Sequence, residues 1–185
     1  MSADPAPEAP RRGRAKLVLL AAVFALPFVL ATLAWWLDWA PGTTSNYGEL
    51  VAPPRPVAGA PLDELRGKWV LVSFDAAACD AYCERKLYFM RQVRRAQGKD
   101  QDRVARLWLV TDAGRPRAQL LDAIEGTRVE PAGALPALFP AAATPADHIY
   151  VVDPLGNLMM RFPREPDPSR MLKDVQRLLK LSQIG

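Results

Sequence analysis

The stretch GKWVLVSFDAAACDAYC, residues 67–83, decides how this chain folds. Its first half contains the run WVLVSF, residues 69–74, whose bulky and β-branched side chains are typical of a buried β-strand. Its second half contains Cys79 and Cys83, and the residues that follow carry apolar side chains at positions 83, 87, 90 and 93. That spacing is helical, so the stretch predicts a strand, a short loop and a helix over residues 79–97.

The rest of the C-terminal half continues as alternating strands and helices. We expect a strand over 104–110, a helix over 117–124, a long proline-containing loop over 127–147, a strand over 148–152, a hairpin strand over 158–162 and a helix from an N-cap at Ser169 to about residue 181. The order β-α-β-α-β-β-α places two strands with helical crossovers beside a hairpin. We therefore predict an α/β protein with a thioredoxin-like fold, in which helices flank a central mixed sheet.

An uncharged apolar run, LVLLAAVFALPFVLATLAWWL, occupies residues 17–37. About 20 such residues cross the hydrocarbon core of a bilayer as a helix. A cleavable signal peptide is the alternative, with residues 32–34 as the cleavage site. The length of the run and the tryptophans near its end favour a membrane anchor.

The basic segment RRGRAK, residues 11–16, precedes the apolar run. The positive-inside rule then predicts a cytoplasmic N-terminus and an exported C-terminal domain. In a bacterium the chain would be a single-pass protein of the inner membrane, with its domain in the periplasm. We divide it into a disordered cytoplasmic tail (1–16), a transmembrane helix (17–39), a proline-rich linker (40–61) and a thioredoxin-like domain (62–185).

The composition excludes several classes of function. One histidine is too few for the usual catalytic zinc sites, and two cysteines are too few for an iron–sulfur cluster held by four. The net charge of +4 comes partly from the basic segment before the apolar run, which serves as a topology signal. We therefore expect no nucleic-acid partner.

The pair Cys79 and Cys83 carries the predicted chemistry. In a helix the two side chains lie one turn apart on one face, and the helix N-terminus stabilises a thiolate. Two thiolates suit Cu(I), and one imidazole would complete a three-coordinate site. The sequence has one histidine, His148, so it is the one candidate. The strand that it starts should meet the end of the first strand at one edge of the sheet, which would bring the three groups together. A structural disulfide is the alternative, although so short a loop adds little stability.

These residues resemble the Sco/SenC family of membrane-anchored copper proteins, which serve assembly of the dinuclear copper centre of cytochrome c oxidase. The likeness covers the N-terminal anchor, the proline-rich segment, GKWVLVSF before C-x-x-x-C, and a histidine before a strand that ends in Asp-Pro-x-Gly. The resemblance implies that Cys79, Cys83 and His148 bind a copper ion. It implies two partners, the copper-carrying subunit of the oxidase and another periplasmic copper carrier.

The sequence departs from the usual family pattern around the motif. Asp80 and Glu84 replace the prolines that follow the two cysteines, and residues 76–78 replace the aromatic-threonine lead-in. His148 is closer to its strand than in the family, and the loop after the second strand is shortened to residues 111–116. The chain therefore resembles a short and divergent member.

Three functions remain open from the sequence. The first is a metallochaperone, rather than an enzyme, that delivers Cu(I) through Cys79, Cys83 and His148. The second is a thiol–disulfide oxidoreductase, in which Cys79 attacks as thiolate and Cys83 resolves the mixed disulfide. The third is a non-catalytic assembly scaffold with a degenerate site.

Overall fold

The computed structural model describes residues 11–37, 46–140 and 144–182. The chain forms two compact units, residues 1–44 and 45–185, which are described separately. Parts of the four predicted segments lie outside the described residues: 1–10 of the tail, 38–39 of the membrane helix, 40–45 of the linker, and 141–143 and 183–185 of the domain.

The first unit contains the helix α1 (Arg11–Trp36). Its segment Ala15–Trp36 has a mean hydropathy of 2.7, and among the described residues this is the one helix long and apolar enough to cross a membrane. Residues 11–16, which were predicted to be a disordered tail, begin this helix. Arginine, alanine and lysine are good helix formers, which accounts for the earlier start. The helix continues through Pro27, as membrane helices tolerate.

The second unit is built on a six-stranded mixed sheet with the strand order β1-β6-β5-β2-β3-β4. The strands are β1 (Glu49–Pro56), β2 (Trp69–Asp75), β3 (Val104–Val110), β4 (Arg128–Pro131), β5 (Ile149–Val152) and β6 (Asn157–Arg161). The helices are α2 (Ala60–Asp63), α3 (Ala81–Arg95), α4 (Ala118–Ala123) and α5 (Pro168–Leu181). Three 3₁₀ turns span Gly98–Arg103, Leu135–Leu138 and Pro145–Asp147.

Strand β2 lies inside the sheet, and all of its residues are buried. It pairs in parallel with β3, from Trp69 opposite Val104 to Asp75 opposite Val110. On its other side it pairs with β5 in the antiparallel direction. Helix α3 is the crossover that a parallel pair of strands requires. The predicted thioredoxin-like α/β fold is confirmed.

Side chains of the sheet alternate between two hydrophobic cores, one on each face. On one side, here called the helix face, strand residues pack against α3, α4 and α5, and its core includes Leu71, Trp108, Val151, Leu87, Leu120 and Met171. On the other side, here called the loop face, strand residues pack against short segments, and its core includes Val72, Leu107, Tyr150, Leu62, Leu135 and Phe139. The two cysteines belong to the helix face.

Both edge strands lie in segments for which the sequence predicted no strand. The prediction of a linker over 40–61 is wrong for residues 49–56, which pair with β6, and the prediction of a loop over 127–147 is wrong for residues 128–131, which pair with β3. The prolines in both segments explain the error. Proline has no N–H to donate, so it is confined in sheets mainly to edge strands, and β1 and β4 are edges.

The N-terminus of α5 is capped by Asp167 and not by the predicted Ser169. The Asp167 carboxylate accepts hydrogen bonds from the backbone N–H of Ser169 at 2.8 Å and of Arg170 at 3.2 Å. Pro168 occupies the first helical position, where its missing N–H costs nothing. The helix therefore begins one residue before the predicted cap.

A buried carboxylate fastens the chain before β1 to α5. Asp174, which is 5% exposed, accepts hydrogen bonds from the backbone N–H groups of Tyr47 at 2.9 Å and Gly48 at 2.8 Å. Two backbone donors, one buried and one partly buried, thus depend on one side chain. This contact contributes to keeping β1 at the edge of the sheet.

We expect Asp174→Ala to lower the free energy of unfolding by about 2–3 kcal/mol, because both N–H groups lose a charged acceptor. Chemical denaturation of the variant measures this loss. Asp122→Ala on the exposed face of α4 is the control and should change stability by no more than about 0.5 kcal/mol. Equal stabilities of the two variants would contradict the proposed fastening role.

Candidate functional site

Cys79 and Cys83 are joined by a disulfide at the junction between β2 and α3. Their Cα atoms are 5.2 Å apart, and the two residues are 4% and 1% exposed. Cys83 lies in the first turn of α3, and Cys79 lies in the loop before it. The structure therefore brings the two sulfur atoms together at the N-terminus of a helix.

Asp80 caps the helix that carries the pair. Its carboxylate accepts a hydrogen bond from the backbone N–H of Cys83 at 2.9 Å, and its carbonyl oxygen accepts one from Glu84 N–H at 2.9 Å. A proline at position 84 would lack this second donor. Where the Sco/SenC motif has two prolines, this chain therefore has an N-cap residue, Asp80, and a regular first helical turn.

Cys79 has a left-handed backbone conformation, with φ of 42°. A non-glycine residue in this region costs about 1–3 kcal/mol, and such residues cluster at functional sites. Hydrogen bonds secure the conformation on both sides: Cys79 N–H donates to the carbonyl oxygen of Ala76 at 3.0 Å, and Arg117 donates to the carbonyl oxygen of Cys79 at 3.1 Å. Arg117 also pairs with Glu84. A guanidinium group is therefore fixed next to the backbone of Cys79.

A buried ion pair lies on the same face of the sheet. Lys86 Nζ is 2.9 Å from Asp75 Oδ2, and the two side chains are 1% and 8% exposed. Ser73 Oγ donates a hydrogen bond to the same carboxylate oxygen at 2.7 Å. Burial raises the pKa of Asp75 and lowers the pKa of Lys86, while the attraction between the two charges opposes both shifts. Each group therefore depends on the other to remain charged.

Tyr82, between the two cysteines, links α3 to two loops. Its hydroxyl group lies within hydrogen-bond distance of the carbonyl oxygens of Asp147, at 2.8 Å, and Arg164. Burial, followed by the negative charge of Asp147, raises the pKa of Tyr82 to about 12. Lys86 makes a parallel contact to the carbonyl oxygen of Ala146. The 3₁₀ turn before His148 is thus fastened to α3 at two points.

His148 lies at the predicted edge of the sheet, next to the end of β2. The pairing of Ser73 with Ile149 places the start of β5 there. The backbone of His148 is extended, with φ of −131° and ψ of 156°, so its side chain shares a face with Tyr150 and not with Ile149. The rings of His148 and Tyr150 are 5.9 Å apart.

This alternation separates the imidazole from the cysteines. Tyr150 belongs to the core of the loop face, whereas Cys79 and Cys83 belong to the core of the helix face. His148 Nδ1 is instead 2.8 Å from the carbonyl oxygen of Phe162. Across residues 11–37, 46–140 and 144–182, no three His, Cys, Asp or Glu side chains form a group that could hold a metal. The structure brings two of the three predicted ligands together and leaves the third apart.

Asp75, Tyr82, Lys86 and Arg117 belong to the site, although no prediction from the sequence included them. The sequence contained one signal for Lys86. This residue lies three positions after Cys83 and four before Met90, so a charged side chain falls on the apolar face of α3. The contacts of Tyr82 and Arg117 join distant segments and have no local pattern.

We expect Lys86→Met to lower the free energy of unfolding by about 3–5 kcal/mol, because it leaves a buried carboxylate without its partner. The double variant Asp75→Asn/Lys86→Met removes both charges and should recover much of that loss. Denaturation of both variants measures the difference. Lys99→Met, at an exposed position, is the control. A single variant as stable as this control would contradict the buried ion pair.

The mixed sheet with a cysteine pair at a strand-to-helix junction defines a thioredoxin-like protein. The family of transmembrane-like, thioredoxin-like C-terminal domains matches residues 69–182, and the chain belongs to this family. The matched range contains both cysteines, His148 and every strand except β1. None of the curated protein sequences matches the chain.

Solved structures of Sco proteins share the fold. The apo Sco1 protein of Thermus thermophilus is 18% identical, with a TM-score of 0.54, over 74% of this chain and 99% of that one. Copper-bound yeast Sco1 is 14% identical, with a TM-score of 0.56, over 65% and 84% of the two chains. A thioredoxin-like protein of Neisseria meningitidis, described as a thioredoxin, is 14% identical, with a TM-score of 0.50, over 75% and 93%. The fold that the Sco/SenC resemblance implied is confirmed.

Proposed function

We propose that this protein is a membrane-anchored copper-binding assembly factor of the Sco type, which delivers Cu(I) to the dinuclear copper centre of cytochrome c oxidase. The observation that carries the proposal is the joined pair Cys79 and Cys83 at the N-terminus of α3. The structures of yeast Sco1 and Bradyrhizobium japonicum ScoI, which share this fold, were solved with copper bound. Together with the motif, they support copper as the cargo.

Copper uptake begins with reduction of the disulfide. A thiol reductant supplies two electrons, the S–S bond breaks, two protons are taken up, and the reductant leaves as its own disulfide. The two thiols stay close together, because Cys79 and Cys83 remain at the same strand-to-helix junction. Binding of Cu(I) then releases the thiol protons, and the helix N-terminus favours the thiolate form.

Delivery follows from the small number of donors. Two thiolates satisfy Cu(I) at low coordination number, so incoming ligands of a partner can join the ion before the first ones leave. The proposed recipient is the copper-carrying subunit of the oxidase, and the proposed donor is another periplasmic copper carrier. The exposed pair of Arg117 and Glu84 lies beside Cys79, on the surface where we propose that the partner approaches.

His148 is the proposed third ligand of the copper-loaded form. In the disulfide form its ring lies on the loop face, and the preceding turn is held to α3 by Tyr82 and Lys86. Ligation by His148 therefore requires that these contacts open when copper binds. This requirement distinguishes a contribution by His148 from the two cysteines, which already lie at one strand-to-helix junction.

The proposed anchor is α1, with the basic residues of its N-terminus in the cytoplasm and the domain in the periplasm. A reporter enzyme fused after residue 60 tests this orientation. We expect activity from a reporter that works only outside the cytoplasm, such as alkaline phosphatase. Activity of a reporter that works only in the cytoplasm would contradict the proposed export.

The copper proposal is tested with the full chain in uncharged detergent micelles, reduced and titrated with Cu(I) against a chromophoric competitor. We expect one ion per chain and a thiolate-to-copper absorption band. Cys79→Ser and Cys83→Ser should each abolish tight binding, because one thiolate alone cannot form the site. A reduced wild-type chain that takes up no copper would contradict the proposal.

His148→Ala belongs to the same series of titrations. We expect it to weaken Cu(I) binding modestly and Cu(II) binding more strongly, because the harder ion depends on nitrogen donors. Its folding should be nearly unchanged, which circular dichroism checks. Equal affinities of the variant and the wild type for both ions would remove His148 from the ligand set.

The second candidate function is thiol–disulfide exchange, favoured by the disulfide itself. In this case Cys79 would attack a partner disulfide and Cys83 would displace the reduced partner, forming the bond seen here. A single Cys83→Ser variant separates the two functions. It should trap a mixed disulfide with partner chains if exchange is the activity, and it should trap none if the pair serves copper alone.

A further inference from the structure

Arg106 is a buried cation in the middle of β3. It is 4% exposed, and its position in the alternation of β3 places it on the helix face beside Val104 and Trp108. Its Nη2 donates a hydrogen bond to the carbonyl oxygen of Glu125 at 2.6 Å. Among the described residues, nothing accepts from its Nε or Nη1. Buried guanidinium N–H groups are normally satisfied, so these two donors need an explanation.

The charges of three further arginines reach this side chain. Arg91, Arg94 and Arg95 lie on α3, and their positive charges act on Arg106. Together the four residues are called the arginine cluster. Burial, followed by repulsion from its three neighbours, lowers the pKa of Arg106 to about 10, so that it still carries its charge at neutral pH.

The arginine cluster is held in place by backbone carbonyl oxygens. Arg91 Nη1 donates to Ala123 at 2.9 Å, and Arg94 Nε donates to Val104 at 2.8 Å. In the described part of the chain the only ion pair of the cluster joins Arg94 to Asp102, whose side chain is 85% exposed. The positive charges of Arg91, Arg94 and Arg106 are therefore fixed in position, and they are almost uncompensated.

Further donors without partners lie in the same region. Arg91 Nε and Thr127 Oγ1 are buried and make no hydrogen bond with any described residue. Thr127 directly follows Gly126, where an added Cβ atom would lie 3.1 Å from Arg106 Nη2. The free donors thus come from three segments, α3, β3 and the loop between α4 and β4.

We propose that the arginine cluster is a binding site for a phosphate group. A phosphate offers several oxygens in a tetrahedral arrangement and up to two negative charges, which match free donors from three segments and four positive charges. A carboxylate has two oxygens and one charge, and would satisfy fewer of these groups. Arg91, Arg94 and Arg95 are at least partly exposed, whereas the donors without partners are buried, so entry of a phosphate requires these three side chains to move aside.

The phosphate group has two possible sources, a free inorganic ion and the headgroup of an anionic lipid. Both present the same chemistry to the arginine cluster. They differ in whether the ligand is dissolved or belongs to a bilayer, and the experiment separates them on that basis. The site does not involve Cys79 or Cys83, so its test is independent of copper.

The test measures the thermal unfolding midpoint of the full chain in uncharged detergent micelles. One arm adds inorganic phosphate at constant ionic strength, balanced with chloride, and a second arm adds phosphatidic acid to the micelles. A ligand that binds the folded chain raises the midpoint in a saturable way. A rise in the first arm identifies free phosphate, a rise in the second alone identifies a lipid headgroup, and either supports the proposal.

Arg106→Met removes the central charge and its donors and leaves a shorter, unbranched apolar side chain. We expect it to weaken the ligand by at least about tenfold, since it removes charged hydrogen bonds. Without ligand it should unfold at the same or a higher temperature than the wild type, because a repelled buried charge is gone. If this variant does not fold, Arg91→Gln at the partly exposed rim replaces it and should also weaken binding.

Lys99→Gln removes one exposed positive charge outside the arginine cluster and is the matched control. It should leave the affinity unchanged. The proposal is overturned if neither arm raises the midpoint, or if acetate raises it as much as phosphate. It is also overturned if Lys99→Gln weakens binding as much as the cluster variants do, because the attraction would then be one of net charge alone.

Discussion

The structure depends on the position of β2 between β3 and β5. Because this strand is bonded on both sides and buried on both faces, its C-terminal end is fixed within the domain. The loop that leaves it must turn back over the helix face to begin α3, and the cysteines lie in this turn. Asp75, the last residue of β2, anchors Lys86 of the same helix. One central strand thus positions the disulfide, the ion pair and the first turn of α3.

The elements that were predicted correctly are those with a strong local pattern. β2 and β3 are apolar runs, and α3 shows a clear apolar stripe, so each is recognisable without knowledge of its neighbours. The edge strands β1 and β4 are short and contain proline, and only the pairing with β6 and β3 makes them strands. The cap at Asp167 was missed because Ser169 is an equally common capping residue two positions later.

The candidate site also combines residues that a local sequence pattern predicted with contacts that no pattern predicted. Cys79 and Cys83 were found from their spacing, which is a local property of a helix start. The opposite faces of His148 and the cysteines follow from strand alternation, and Tyr150, two residues after His148, already indicated the loop face. The contacts of Tyr82 and Lys86 with the turn before His148 cross about 60 residues of sequence, and no sequence pattern predicts them.

The reduced pair Cys79 and Cys83 is the proposed sulfur donor set for Cu(I). X-ray absorption at the copper K-edge, on the reduced and copper-loaded full chain, tests it most directly, because the spectrum reports both the oxidation state and the donor atoms. We expect Cu(I) with two sulfur neighbours, joined by one nitrogen neighbour where His148 binds, and no bound copper when the same chain is loaded in its disulfide form. A spectrum dominated by nitrogen and oxygen neighbours, or equal loading of the disulfide form, would contradict it.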